Sequence, residues 1–445
     1  MKLRWYFFLP FLFLIGLAAG DFYFIHTPSR YFLLLSLIFF CVALFCAKRP
    51  ILWMSALLLV HAVHWLFGAY FGRDIELFDL YLFVTHTDET IEGAWGMHTL
   101  FLPPLAAALS VGALLVPMRR LEKEKRRYAP LLWVLFLALL WPVGGLGDKD
   151  TTKDASIHRQ TPPIVRPPLM DVIVVIGESM ACDEKIVRRF EKLGGYARCI
   201  LSGAVNTDVS IPLLLNGLDN PARLRENDGH NLFALAHRNG FYTRFFSAQS
   251  RHNLRYIRPY LGLKQIDDYS DTPKSKRAPK YDMALLRGLQ GLPDRPAFVV
   301  LHQMGQHAPY IFYPGPKNGA LAERYAKSLD YSFAFYRRLI KTLETSGRPY
   351  VLIITSDHGE FRGQNSRWGH NTFAPEVYTV PFFIRFAADP WAWYDKIRSH
   401  GDLYRYIRYL LGYGARFVPL KPPYIINGTM QSGEDGSIRV DAITR

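Results

Sequence analysis

Asp171-Val-Ile-Val-Val-Ile-Gly-Glu-Ser179 is a run of mostly β-branched residues that stops at a glycine and two polar side chains. Such a run reads as a buried parallel strand with its functional residues at the carboxyl end. The pattern returns in Pro296-Ala-Phe-Val-Val-Leu-His302 and in Pro349-Tyr-Val-Leu-Ile-Ile-Thr-Ser-Asp-His358, each closing on potential ligands. Amphipathic stretches such as residues 320–343 alternate with these runs. The region therefore predicts an α/β domain with helices on both faces of a mostly parallel sheet. Sites in open α/β sheets gather at the carboxyl edge, so Glu178, His302 and Asp357-His358 are expected to converge although they are far apart in sequence.

Upstream the composition is different. Crossing a bilayer takes about 20 mostly apolar residues, because backbone polar groups in hydrocarbon must be satisfied within a helix. Five stretches qualify, at residues 5–20, 31–47, 51–71, 99–118 and 129–146. The first also resembles a signal peptide, with Lys2 and Arg4 ahead of it and Leu17-Ala-Ala-Gly20 at its end. Four further spans that need a packing partner favour reading it as a span. Lys2 and Arg4, then Lys48 and Arg49, then the cluster from Arg119 to Arg127 occupy every second flank, while the acidic segment 73–92 falls on the other side. The positive-inside bias then puts everything after Leu146 outside, which in a bacterium is the periplasm. This predicts a five-helix transmembrane domain over 1–146, a proline-rich linker over 147–168 and an external catalytic domain over 169–445.

The whole chain has 445 residues, half of them hydrophobic, and a formal charge of +15. Disorder is excluded. Its mean hydropathy of +0.02 averages an apolar and a basic half, since residues 1–146 hold 12 basic and 9 acidic side chains and the remainder carries +12. A basic domain facing outward suits anionic lipid or phosphorylated glycan; no nucleic-acid recognition motif accompanies the charge. Of the four cysteines, Cys41 and Cys46 lie in an apolar run, leaving Cys182 and Cys199 as the pair able to join in a water-soluble region.

Two carboxylates and an imidazole make a zinc ligand set that leaves a position open for a nucleophile or substrate oxygen. The loop Asn206-Thr-Asp-Val-Ser-Ile-Pro212 carries Thr207, which fits that position. Singly, each element has a structural reading as well: Gly-Glu-Ser as a turn, Asp-His-Gly as a strand cap, Thr207 as a helix cap, His302 and His307 as ordinary histidines. Their joint order at strand ends favours the chemical reading.

The motifs Val175-Ile-Gly-Glu-Ser179, Thr207-Asp-Val-Ser-Ile-Pro212, His302-Gln-Met-Gly-Gln-His-Ala-Pro309, Ser356-Asp-His-Gly-Glu360, Gly369-His370 and Val380-Pro381 resemble those of the membrane-anchored phosphoethanolamine transferases, in the alkaline phosphatase and sulfatase superfamily. The resemblance implies that Glu178, Thr207, Asp357 and His358 bind catalytic Zn2+, with Thr207 as nucleophile. It implies that His302, His307 and His370 serve the substrate phosphate, the leaving group or a second metal. Ser250-Arg-His-Asn-Leu-Arg255, with Asn253, loosely matches the family's headgroup-binding stretch. Where lipid A members place cysteines around the nucleophile loop, this chain has Gly203 and Leu213. No Cys-x-Pro-x-Arg element of formylglycine sulfatases is present.

The function implied is zinc-dependent transfer of phosphoethanolamine from phosphatidylethanolamine through a phosphothreonine to lipid A, a core sugar or another envelope glycan. The protein is expected in the inner membrane with its catalytic domain in the periplasm. Phosphoglycerol transfer or phosphodiester hydrolysis on the same scaffold, and a non-catalytic membrane scaffold, are the alternatives.

Overall fold

The computed structural model describes residues 9–25, 36–40, 50–71, 102–118, 162–218, 230–250, 254, 257–272, 281–364, 367–387, 393–414, 424–427 and 437–440. The chain divides into two compact units, Met1–Ala155 and Ser156–Arg445.

The first unit contains helices Leu9–Ile25, Pro50–Phe71, Leu102–Ala113 and Leu115–Met118. Phe13, Leu17, Met54, Leu57, Trp65 and Leu115 form its core. The first helix continues through Gly20, where the sequence reading ended it, to Ile25. Gly20 lies against the Trp65 indole so closely that a Cβ there would come within 2.3 Å of the ring. Asp21 is buried beside it; it accepts the Trp65 indole N–H at 2.7 Å and lies 3.0 Å from His61 Nδ1. Ring N–H groups thus replace water around a carboxylate among apolar helices.

Among the described residues, no helix is long and apolar enough to cross a membrane. Side chains of the Pro50–Phe71 helix are described over residues 51–67. Residues 129–146, the acidic segment 73–92 and most of 31–47 lie outside the described residues, so the five spans stand as an expectation from sequence.

The second unit is built on strands β1 (Asp171–Gly177), β2 (Tyr196–Leu201), β3 (Tyr242–Ser250), β4 (Asp268–Thr272), β5 (Ala297–His302), β6 (Tyr350–Ser356), β7 (Phe361–Arg362), β8 (Trp368–Gly369), β9 (Thr379–Phe386), β10 (Tyr424–Ile426) and β11 (Ser437–Arg439). Seven of them make one sheet in the order β2-β9-β6-β1-β5-β3-β4. The block from β6 to β4 is parallel, and β9 runs antiparallel to both β6 and β2. The mostly parallel sheet expected from sequence is present.

Side chains alternate along a strand, which explains how both faces are covered. Val172, Val174 and Ile176 of β1 face a core shared with Ile211, Leu214, Leu232, Leu235, Leu403 and Ile407, which come from helices Thr207–Asn216, Leu232–Arg238 and His400–Leu410. Ile173 and Val175, buried on the opposite face, belong to the side where Phe190 of the Glu184–Glu191 helix stacks on Phe383 and on Tyr336 of the Leu321–Thr345 helix and meets Phe333 of that helix at a tilt. At the amino edge, Arg348 pairs with Asp171 at 2.6 and 2.7 Å while Asp171 accepts the Ala297 N–H at 2.8 Å. That network ties the starts of β1 and β5 together, leaving the opposite edge for the site.

Within the stretch read as linker, Ile164 bridges antiparallel to Tyr413, and the Val165 N–H donates to Gly412 O at 2.8 Å. Residues from about 162 onward therefore lie on the second unit. Cys182 and Cys199 form a disulfide that joins the loop after β1 to β2.

Candidate metal centre and nucleophile

Gly177 of β1 and Ser356 of β6 are partners across the sheet, so the residues that follow them, Glu178 and Asp357, emerge side by side. His358 comes with Asp357. Thr207 opens the Thr207–Asn216 helix, whose N-cap is Asn206: its side chain accepts the Val209 N–H at 3.1 Å. One turn on, Ser210 Oγ donates to the Asp357 carbonyl, fastening that helix end to the β6 terminus.

Thr207 Oγ1 lies 2.8 Å from Asp357 Oδ2, 3.2 Å from His358 Nε2 and 3.3 Å from each oxygen of Glu178. Glu178, Asp357 and His358 are buried, with one potential ligand atom from each within 4.8 Å of the others. Remaining positions are used up by the protein. Glu178 Oε2 accepts the Gln249 amide at 2.7 Å, and Asp357 Oδ1 accepts backbone N–H groups of Ser179 and His358 at 3.0 and 2.7 Å. His358 Nδ1 donates to Gly359 O at 2.8 Å. A carbonyl only accepts, so this bond leaves the lone pair of His358 on Nε2, facing Thr207.

Two carboxylates buried together repel. Burial, and then the charge of Asp357, push Glu178 well above its ordinary value. Burial also opposes ionisation of Asp357, but His358, the Thr207 hydroxyl and His302 outweigh it and hold Asp357 down. A divalent cation relieves this repulsion, and oxygen and imidazole donors at this spacing are what zinc takes. Glu178, Asp357, His358 and Thr207 are the residues able to hold it.

His302, the last residue of β5, is fully buried with Nε2 3.9 Å from Glu178 Oε2. Its Nδ1 lies 3.0 Å from Ser247 Oγ, and burial lowers its pKa to about 4. His370 lies with its ring centroid 4.2 Å from that of His358. His307 sits on the loop after β5, its Nδ1 donating to Ala308 O at 2.6 Å and its ring edge-on to Phe312. Asn253 lies outside the described residues.

Sequence reading missed Ser247 and Gln249 at the carboxyl end of β3, immediately before the loosely matching stretch Ser250 to Arg255. The signal was the β-rich run Tyr242–Ser250 itself. It also missed Glu360, which accepts the Tyr310 hydroxyl at 2.6 Å and is pushed up to about 8 by burial. His400, whose Nδ1 is 3.4 Å from Ser210 Oγ of the Thr207–Asn216 helix, carried no local signal.

A hydroxyl aimed into a carboxylate and imidazole set at the carboxyl edge of such a sheet makes a site able to hold a divalent metal ion and to present that hydroxyl to an ester. The sulfatase family profile matches residues 171–413, more than half of the chain, and the chain belongs to that family. Among its relatives, a phosphoethanolamine transferase, EptA, of Helicobacter pylori is 25% identical over 215 residues, 42% of this chain and 40% of that protein. A low-salt glycan biosynthesis sulfotransferase, Agl7, of Haloferax volcanii is 34% identical over 130 residues, 24% of this chain and 32% of that protein. The matched stretches thus span about a third to two fifths of these relatives. The zinc complex of the C-terminal periplasmic domain of EptC from Escherichia coli shares the fold, with a TM-score of 0.50 and 16% identity over 63% of this chain and 96% of that one.

Proposed function

We propose that this protein is a Zn2+-dependent transferase that moves phosphoethanolamine from phosphatidylethanolamine to a hydroxyl or phosphate of lipid A or another envelope glycan. The observation that carries the reading is the position of Thr207 Oγ1 within 3.3 Å of all three buried ligand residues. Bound there, zinc supplies charge neutralisation for the hydroxyl and the phosphoryl oxygens.

This chain's residues supply the rest. The amino end of the Thr207–Asn216 helix favours negative charge on Thr207 Oγ1 and on an adjacent phosphoryl group. Thr207 Oγ1 attacks phosphorus and the bond from phosphorus to the diacylglycerol oxygen breaks. The Thr207 proton leaves on the diacylglycerol oxygen. In the second step an acceptor oxygen attacks the same phosphorus, the bond from phosphorus to Thr207 Oγ1 breaks, and the acceptor's proton passes to Thr207 Oγ1. His302, His307 and His370 orient the donor and move these protons. The membrane-anchored inner-membrane topology and a periplasmic catalytic domain fit a donor that stays in the bilayer, and the Cys182–Cys199 disulfide fits an oxidising compartment.

The sulfotransferase relative supports a second reading, sulfuryl transfer through the same threonine. One experiment separates them. Mass spectrometry of the Thr207 peptide, after separate incubations with phosphatidylethanolamine vesicles and with an aryl sulfate ester, should show the mass of phosphoethanolamine from the first and no sulfate from the second. Sulfate on that peptide favours the second reading, and an unmodified Thr207 under turnover refutes both.

A further inference from the structure

The turn Gln303-Met-Gly-Gln-His307 connects buried His302 to loop residue His307, and it rests on a side chain from elsewhere in the chain. Asp282, first residue of the 3-10 segment Asp282–Leu289, is 1% exposed. Its Oδ1 accepts the Met304 N–H at 2.8 Å, and its Oδ2 accepts the Gly305 N–H at 3.2 Å and the Gln303 amide at 2.9 Å. Three successive residues thus direct donors at one carboxylate. Consecutive backbone N–H groups make a concavity that attracts anions, and here the protein's own carboxylate fills it.

The other side of the turn is fastened to the metal-ligand strand. The Gln303 N–H donates to Ile176 O at 2.9 Å and the Gln306 N–H to Glu178 O at 3.0 Å. Gly305, at φ +46°, packs so tightly there that a Cβ would lie 2.9 Å from both the N and the O of Glu178. Gln303 Oε1 accepts the Tyr336 hydroxyl at 2.7 Å.

We propose that Asp282 is a positioning residue for the proposed transfer, its carboxylate setting the turn that runs from His302, beside Glu178, to loop residue His307. It acts through the turn and touches no reacting group. Burial pushes its pKa up to about 6, and the three N–H donors are what pull it back. The other ionisable groups facing it, Tyr331 and Tyr336, are phenols whose own pKa values are raised. An amide at this position keeps the shape but offers one acceptor oxygen to three donors and turns an NH2 toward an N–H.

The test uses the full-length zinc-loaded protein and rests on the transferase reading. Zinc per chain, melting temperature, kcat and KM are measured with phosphatidylethanolamine vesicles and with a soluble aryl phosphodiester. Asp282→Asn should keep wild-type zinc content and lose about 10- to 100-fold in kcat, with KM within about threefold, because the histidines act on the reacting groups. In a His302→Ala, His307→Ala background the same substitution should change kcat by less than about twofold. Unchanged kcat, an equal loss in the histidine-free background, or zinc lost together with kcat would each overturn the proposal. If Asp282→Asn does not fold, Gln303→Met removes one of the three donors and should show a smaller loss with the same non-additivity. Wild-type protein that cleaves the aryl diester but not the lipid refutes the lipid donor, while the Asp282 comparison still stands on the diester.

Discussion

Thr207 Oγ1 and Asp357 Oδ2 lie 2.8 Å apart although 150 residues separate them in sequence. One comes from a helix start and the other from a strand end, so the distance depends on how the Thr207–Asn216 helix is anchored to the sheet. Removing the hydroxyl tests its role as nucleophile. Thr207→Ala should lower transfer by more than about 1,000-fold while zinc stays bound by the other three residues; Thr207→Ser should recover part of the rate. Diacylglycerol release and zinc content, measured on the same preparations, check both halves.

Gln249 holds Glu178 Oε2 from outside the ligand set. Replacing it with Leu leaves a buried carboxylate oxygen without its donor and lets Glu178 rotate. Zinc affinity should fall about 10- to 100-fold, the range seen when a partner of a metal ligand is removed. Competition with a chelator of known affinity measures it, and an unchanged affinity would show that Gln249 does not orient the ligand.

Cys182 and Cys199 are 17 residues apart. Closing a loop of that length restricts the unfolded chain by about 3 kcal/mol on the chain-entropy account. The double Cys→Ser variant should therefore melt at a lower temperature yet bind zinc as wild type does, because neither cysteine touches the site. Parallel melting and zinc titrations check this.

Glu360 sits at about 8 against an ordinary 4.5, driven by burial. The folded state therefore keeps a proton that the unfolded chain releases. The resulting stability is fully present below 4.5 and is lost as pH rises through about 8, by an amount on the order of a few kcal/mol. Glu360→Gln imitates the protonated form and still accepts from Tyr310. In zinc-free protein its melting temperature should fall less than that of wild type between pH 5 and about 9; parallel curves would refute the assignment.

How far the site could be read in advance depended on what each residue needed. Glu178, His302 and Asp357-His358 end apolar strands, and a strand end is a local pattern. Thr207 follows Asn206, a good N-cap residue. By contrast, Gln249 reaches Glu178 only because β3 lies beside β5, and β5 beside β1. Asp282 opens a 3-10 segment and ends no strand, and its importance lies in three donors that the sequence places some 20 residues away. His400 comes from a helix more than 40 residues beyond β6.

The sequence by itself determined the α/β character of the region from about residue 169 onward, the candidate ligand types, and the sharp division between an apolar and a basic half, because these depend on composition and on short hydrophobic periods. The tertiary structure decided the strand order, the pairing of Gly177 with Ser356 and the side chains that hold each ligand still. Those are set by packing between segments far apart in the chain, where the energy of burying both sheet faces selects one arrangement that no local pattern encodes.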